Sequence, residues 1–190
     1  MSMRSTLLRM SYQLEITLED IDPPVWRRVV VPADFTLLDL HHVIQIAMGW
    51  KDCHLHNFTI KRQRYTTPHE DDFDDAIDES TVALRDVIRP GSKFSYQYDF
   101  GDDWNHVIVV EKTVPDRDTV APICVDGARA CPPEDSGGPW GYMEKLEALA
   151  HPNDDETEEL REWIGDFDAE RFDLQSVNKQ LRRFFAAQRK

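Results

Sequence analysis

The sequence predicts an α+β fold, a mostly antiparallel β-sheet with one N-terminal helix and a C-terminal set of helices packed on it. Three observations predict it. Tyr12, Leu14, Ile16 and Leu18 alternate with polar residues, the period of a half-buried strand. Leu37, Leu40, Val43, Ile44, Ala47 and Met48 recur at helical spacing and form one apolar face. From Tyr142 onward the pattern is helical, so strands dominate the first part of the chain and helices the last.

Taken in order, the first strand ends at Asp22-Pro23-Pro24, because proline donates nothing to a ladder and restricts the residue before it. Val25 to Val31 returns as a second strand with Arg27 and Arg28 in its middle, and Pro32-Ala33-Asp34 closes it. Thr36 reads as a helix N-cap, Asp39 as the other half of a capping box, and Gly49 as a left-handed stop. Cys53 to Ile60 reads as a strand with His54, His56 and Phe58 on one face. His69 to Ser80 is acidic but lacks the glycine an EF-hand needs at its sixth position, so a solvated loop is expected. Leu84 to Ile88 reads as one helical turn before Pro90-Gly91.

Lys93 to Phe100 and Trp104 to Thr113 form a hairpin around the tight turn Phe100–Asp103. Pro115 to Pro139 has no periodic pattern and is rich in proline and glycine. A loop of that length is functional or wraps the core. Tyr142 to Ala150 is expected as a helix, and Asn153 as the cap of a second from Asp154 to Ile164, acidic in its first turn. After a turn with buried aromatics at 167–173, Leu174 to Ala187 forms the last helix. It turns Leu174, Val177, Leu181 and Phe184 inward, and its end is basic (Lys179, Arg182, Arg183, Arg189, Lys190).

The composition bounds the function. A chain of 190 residues with 41% hydrophobic and 10% aromatic content has room for one well-filled core, expected over residues 11–190 after a tail at 1–10. A net charge of −14 disfavours nucleic acid as a partner, since no surplus of cations is present to displace counterions. Three cysteines form no even framework and no C-x-x-C pair, which points to a reducing, cytoplasmic setting. No apolar stretch suits a signal peptide or a membrane span, so no membrane is expected.

The runs Pro23-Pro24-Val25-Trp26-Arg27-Arg28, Ala47-Met48-Gly49-Trp50, His54-Leu55-His56-Asn57-Phe58, Tyr98-Asp99-Phe100-Gly101-Asp102-Asp103-Trp104 and Ala130-Cys131-Pro132-Pro133-Glu134-Asp135 resemble the plasmid pRiA4b ORF-3-like family over roughly Tyr12 to Arg182. The resemblance implies a single α+β domain of mainly bacterial proteins without an established role, some of them labelled resolvase or insertion-element passenger proteins. It brings an association with plasmids or mobile elements and no catalytic residues. The residues speak against a resolvase: no histidine has an arginine three positions on, and Arg27-Arg28 is the one adjacent arginine pair outside the C-terminal helix.

Two sites stand out. His54 and His56, at i and i+2 of a strand, share a face and suit a divalent metal, with His106, Asp99 or Asp102 as further ligands if the hairpin lies beside them. The bland alternative is a pair of hydrogen-bonded imidazoles on a partly covered sheet. Glu134 and Asp135 follow two stiffening prolines and precede Gly137-Gly138, as in a site wall or a helix cap. Trp26, Trp50, Trp104 and Trp140 sit at element edges, where aromatics line grooves or seal the core. Cys131 lacks an assignable partner and reads as structural.

Two functions follow. The first is a non-enzymatic domain binding a protein or small molecule in a cleft formed by Asp99, Asp102, Asp103, Trp104, His106, Glu134, Asp135, Trp140 and Tyr142. The alternative is a metal-dependent hydrolase or nuclease-like enzyme using His54, His56, Asp99, Asp102, His106 and Glu134. No nucleophile is identifiable, which favours the binding domain.

Overall fold

The computed structural model describes residues 10–68, 75–115, 121–150 and 155–188, with side chains of the last segment from 160 onward. Residues 1–9 of the expected tail, the first half of the acidic stretch (69–74), the Asn153 cap, Arg189 and Lys190 lie outside the described residues.

Strand β1 (Met10–Leu18) buries Tyr12, Leu14, Ile16 and Leu18, as its alternation requires. It pairs antiparallel with β2 (Trp26–Pro32) on one side and with β7 (Trp104–Pro115) on the other. β7 forms the predicted hairpin with β6 (Lys93–Tyr98), and β6 pairs with β3 (His56–Ile60), so the histidine-bearing segment does lie beside the hairpin. Two short strands, β4 (Gln63–Thr66) and β5 (Ile77–Asp78), extend that edge; β4 and β5 are the parallel pair in an otherwise antiparallel sheet. The eight strands run in the order β5-β4-β3-β6-β7-β1-β2-β8, with β8 (Ile123–Ala128) at the far edge.

β8 corrects the sequence expectation of an irregular loop. Its alternation is inverted for detection: Cys124 is buried while Ile123 and Val125 face solvent. The Asn178 side chain completes its outer edge, accepting from the Cys124 N–H at 2.9 Å and donating to the Cys124 carbonyl at 2.7 Å.

Helix α1 (Leu37–Met48) has both halves of the Thr36/Asp39 capping box, and Gly49 ends it at φ 100°. The single turn α2 (Leu84–Val87) follows a 3₁₀ turn at Glu79–Thr81. Helix α3 (Gly138–Ala150) begins four residues earlier than its apolar pattern suggests, and α4 (Asp155–Ile164) and α5 (Leu174–Ala187) follow. In α5 it is Phe185, with Val177 and Leu181, that reaches the core; Phe184 lies half-buried against the His42 ring. α1 and α5 cover one face of the sheet. The other face is polar, and on it Arg28 pairs with Glu15, with Glu111 at 3.0 Å and with Asp126 at 3.3 Å. Among the described residues no helix is long and apolar enough to cross a membrane.

Candidate functional site

His54 and His56 do not share a strand face. Asp52 takes a left-handed conformation (φ 56°), β3 starts only at His56, and His54 stays in the loop before it. His56 turns inward, its Nε2 2.8 Å from Glu79 Oε1, a carboxylate with no solvent exposure. His54 turns the other way, to a cluster of acids.

Three carboxylates converge on the His54 ring. Its Nε2 lies 3.4 Å from Asp135 Oδ1, 3.6 Å from Asp99 Oδ2 and 3.8 Å from Glu134 Oε2. It is itself buried and makes no hydrogen bond among the described residues. Ligand atoms about 2.0–2.2 Å from one ion stand roughly 3 to 4.5 Å from each other, a range that includes each of these separations from Nε2. Cys53 Sγ, His54 and Glu134 also lie within 4.8 Å of one another, as do His54, Asp99 and Asp135.

Local structure aims each group. Asp99 is left-handed (φ 55°) and its Oδ1 accepts from the N–H of Gly101 at 2.9 Å, an Asx turn that leaves Oδ2 toward His54. Glu134 follows the two prolines, and the Trp50 indole N–H donates to the Pro132 carbonyl at 3.0 Å, fixing that approach. Glu134 Oε1 accepts from the Lys51 N–H at 2.7 Å and from the Tyr98 hydroxyl at 3.1 Å, while Oε2 faces His54. Burial pushes the Tyr98 phenol well up, so it stays a donor. Asp135, at φ 57°, is the exposed member, its side chain 76% accessible, whereas those of Asp99 and Glu134 are 11% accessible.

The remaining sequence candidates do other things. Asp102 Oδ2 accepts from the Gly137 N–H at 3.0 Å and ties the hairpin turn to the start of α3. Asp103 accepts from Gln97 and Asn105 within the turn. Trp104 and Tyr142 are core residues, and Trp140 is 85% exposed on the surface. His106 is not a ligand of this cluster: it is fully buried, its Nδ1 donates to the carbonyls of Trp104 and Tyr96 at 3.1 and 3.2 Å, and burial lowers its pKa to about 4. Cys131 is buried, and burial raises its thiol pKa, consistent with a structural residue.

A cleft of about 700 Å³ opens beside the cluster, lined by Glu134 and Asp135 together with Arg27, Trp50, Trp163 and Phe172. Sequence reasoning missed Arg27 here. Its signal was the period of two: Val25, just before β2, and Arg27, Val29 and Val31 within it are all buried. A second group, His41, His42 and Asp52, is close enough to hold an ion. His41 is already satisfied there, by Asp52 Oδ1 at 2.8 Å and the Tyr96 hydroxyl at 2.9 Å.

The fold and site define an α+β domain with a helix-covered antiparallel sheet and a histidine–carboxylate cluster at the mouth of a cleft. The chain belongs to the plasmid pRiA4b ORF-3-like family, whose model matches residues 10–176. It is 42% identical over 173 residues to the uncharacterized protein y4hQ of Sinorhizobium fredii, covering 89% of each chain. Its structure is similar to the crystal structure of MM3350, a protein of unknown function from Methanosarcina mazei Go1. The TM-score is 0.83 at 37% identity, over 90% of this chain and 98% of that one.

Proposed function

We propose that the protein is a ligand-binding domain that holds a divalent cation between His54, Asp99, Glu134 and Asp135 and presents it to the neighbouring cleft. The observation that carries this reading is the buried, unbonded His54 Nε2 facing three carboxylates at 3.4–3.8 Å. Three carboxylates around one imidazole repel each other, and a divalent ion offsets most of that repulsion. The donor set, one nitrogen and carboxylate oxygens, suits Mn²⁺ or Zn²⁺ better than a soft ion.

Titration of the EDTA-stripped protein with MnCl₂ by calorimetry tests it. One site per chain is expected in the wild type and none in His54→Ala or Glu134→Gln. Equal binding by all three proteins would discard the assignment.

Metal-assisted hydrolysis is the second reading. The exposure of Asp135 favours it, because the solvent side of the cation then has room for a water that the ion would polarise. Cation-dependent cleavage of nitrophenyl esters or phosphodiesters that disappears in Glu134→Gln separates it from simple binding.

A further inference from the structure

Arg27 places a positive charge in the cleft without a carboxylate to balance it. It is 1% exposed, near the start of β2 on the helix-covered face. Its Nε donates to the Ala47 carbonyl at 2.7 Å, and its Nη1 donates to the Trp26 and Ala128 carbonyls, both at 2.8 Å. The Phe172 ring lies 4.1 Å from the guanidinium carbon. That ring can approach because residue 127 is glycine: a Cβ there would fall 2.7 Å from Phe172 Cε1. Carbonyl dipoles and a ring face ease the burial of a cation but supply no net negative charge.

Nη2 makes no hydrogen bond among the described residues. The titratable groups that act on the guanidinium are the Cys131 and Cys124 thiols, which burial keeps neutral. Two other arginines of the chain are treated differently. Arg28, the next residue, has Glu15, Glu111 and Asp126 around it, and Arg129 has Glu170 at 2.7 Å. A buried charge left unpaired in the free protein is costly, and a ligand that pairs it recovers that cost.

We propose that the cleft binds a small anionic molecule whose carboxylate or phosphate group completes the Arg27 guanidinium at Nη2. The Arg27 end stands on its own geometry; the other end of the ligand rests on the cation reading, since Glu134 and Asp135 line the same cleft. Lys51 and Arg171 also line it and draw an anion in, whereas Glu134, Asp135, Asp166, Asp168 and Asp173 outnumber these bases and limit the charge it can carry. A small mono- or dianion fits this balance; a polyanion such as nucleic acid does not.

Inorganic phosphate is the probe. It is titrated into the EDTA-treated full chain at constant ionic strength, with the fluorescence of Trp50 and Trp163, which line the cleft, as the signal. A saturable response is expected in the wild type and in Arg28→Met, whose change lies on the opposite face. It is expected to weaken by at least about tenfold in Arg27→Met and in Arg27→Lys, which keeps the charge but loses the planar fork. If Arg27→Met fails to fold, Arg27→Lys carries the comparison. No saturable response in the wild type, or an undiminished one in Arg27→Lys, overturns the proposal. His54→Ala keeps the two readings apart: a phosphate response that persists in it while no protein binds Mn²⁺ removes the cation and leaves the anion site. Mn²⁺ binding without any phosphate response does the reverse.

Discussion

His41 and His56 lie ring on ring, with centroids 3.5 Å apart and planes within 8° of parallel. Each imidazole has its own carboxylate at 2.8 Å, Asp52 for His41 and Glu79 for His56. Gln45 Nε2 donates to the Tyr96 hydroxyl at 3.0 Å, and that hydroxyl is 2.9 Å from His41 Nδ1. The bonds close consistently with a neutral His41 that accepts from Tyr96 and donates to Asp52. Burial lowers the His41 pKa and the adjacent His56 lowers it further, against the opposing pull of Asp52.

His41→Ala removes the partner of a fully buried phenol and of Asp52 at once. It is expected to cost about 2 to 4 kcal/mol in urea unfolding, more than truncation of a ring alone on the surface. A loss under about 0.5 kcal/mol would mean that the network contributes little.

His106 gives the pH dependence its sign. Its pKa is about 4 in the fold, because burial penalises the imidazolium, against about 6.5 in the unfolded chain. The unfolded chain therefore takes up a proton that the native protein refuses. Stability is fully present above about pH 6.5 and falls as the pH drops toward 4, by on the order of 3 kcal/mol from this residue. His41 acts in the same direction. Urea unfolding of the wild type and His106→Gln across this range checks it: the slope is expected to be shallower in the variant, and equal slopes would assign the acid sensitivity elsewhere.

Gly138, at φ 70°, faces the backbone of Asp102 so closely that a Cβ would fall 2.4 Å from its carbonyl oxygen. Gly138→Ala must move α3 away from the hairpin turn. An unfolding cost of about 2 kcal/mol or more is expected, from the close contact and the left-handed conformation together. Because Asp102 also holds Gly137, Mn²⁺ affinity is expected to weaken in the same variant. Unchanged stability by chemical denaturation would show that this joint yields freely.

Much of this architecture was legible in the chain because local rules agreed. The Thr36/Asp39 box and Gly49 bound α1 where the apolar period starts and stops, and the alternation of Tyr12 to Leu18 gave the central strand its inward face. β8 was not legible, since an edge strand that buries Cys124 and exposes Ile123 and Val125 carries no outward sign of its face. The site was legible in part. The enzyme reading grouped His54, Asp99 and Glu134 and the cleft reading grouped Asp99, Glu134 and Asp135, but neither joined all four, and the pairing of His54 with His56 rested on a strand expected from Cys53 that begins only at His56. Joining 54, 99 and 134–135 depends on the turn at Asp52 and on the anchoring of Pro132 by Trp50, contacts between segments far apart in sequence. Arg27 was hidden by its charge: a period-two reading marks it as inward, while its residue type argues for solvent.

The most direct test of the cation site is an anomalous difference map from Mn²⁺-soaked crystals. One peak is expected, about 2.0–2.3 Å from His54 Nε2 and from oxygens of Asp99, Glu134 and Asp135. A peak between His41, His42 and Asp52 instead, or none near His54, would contradict it.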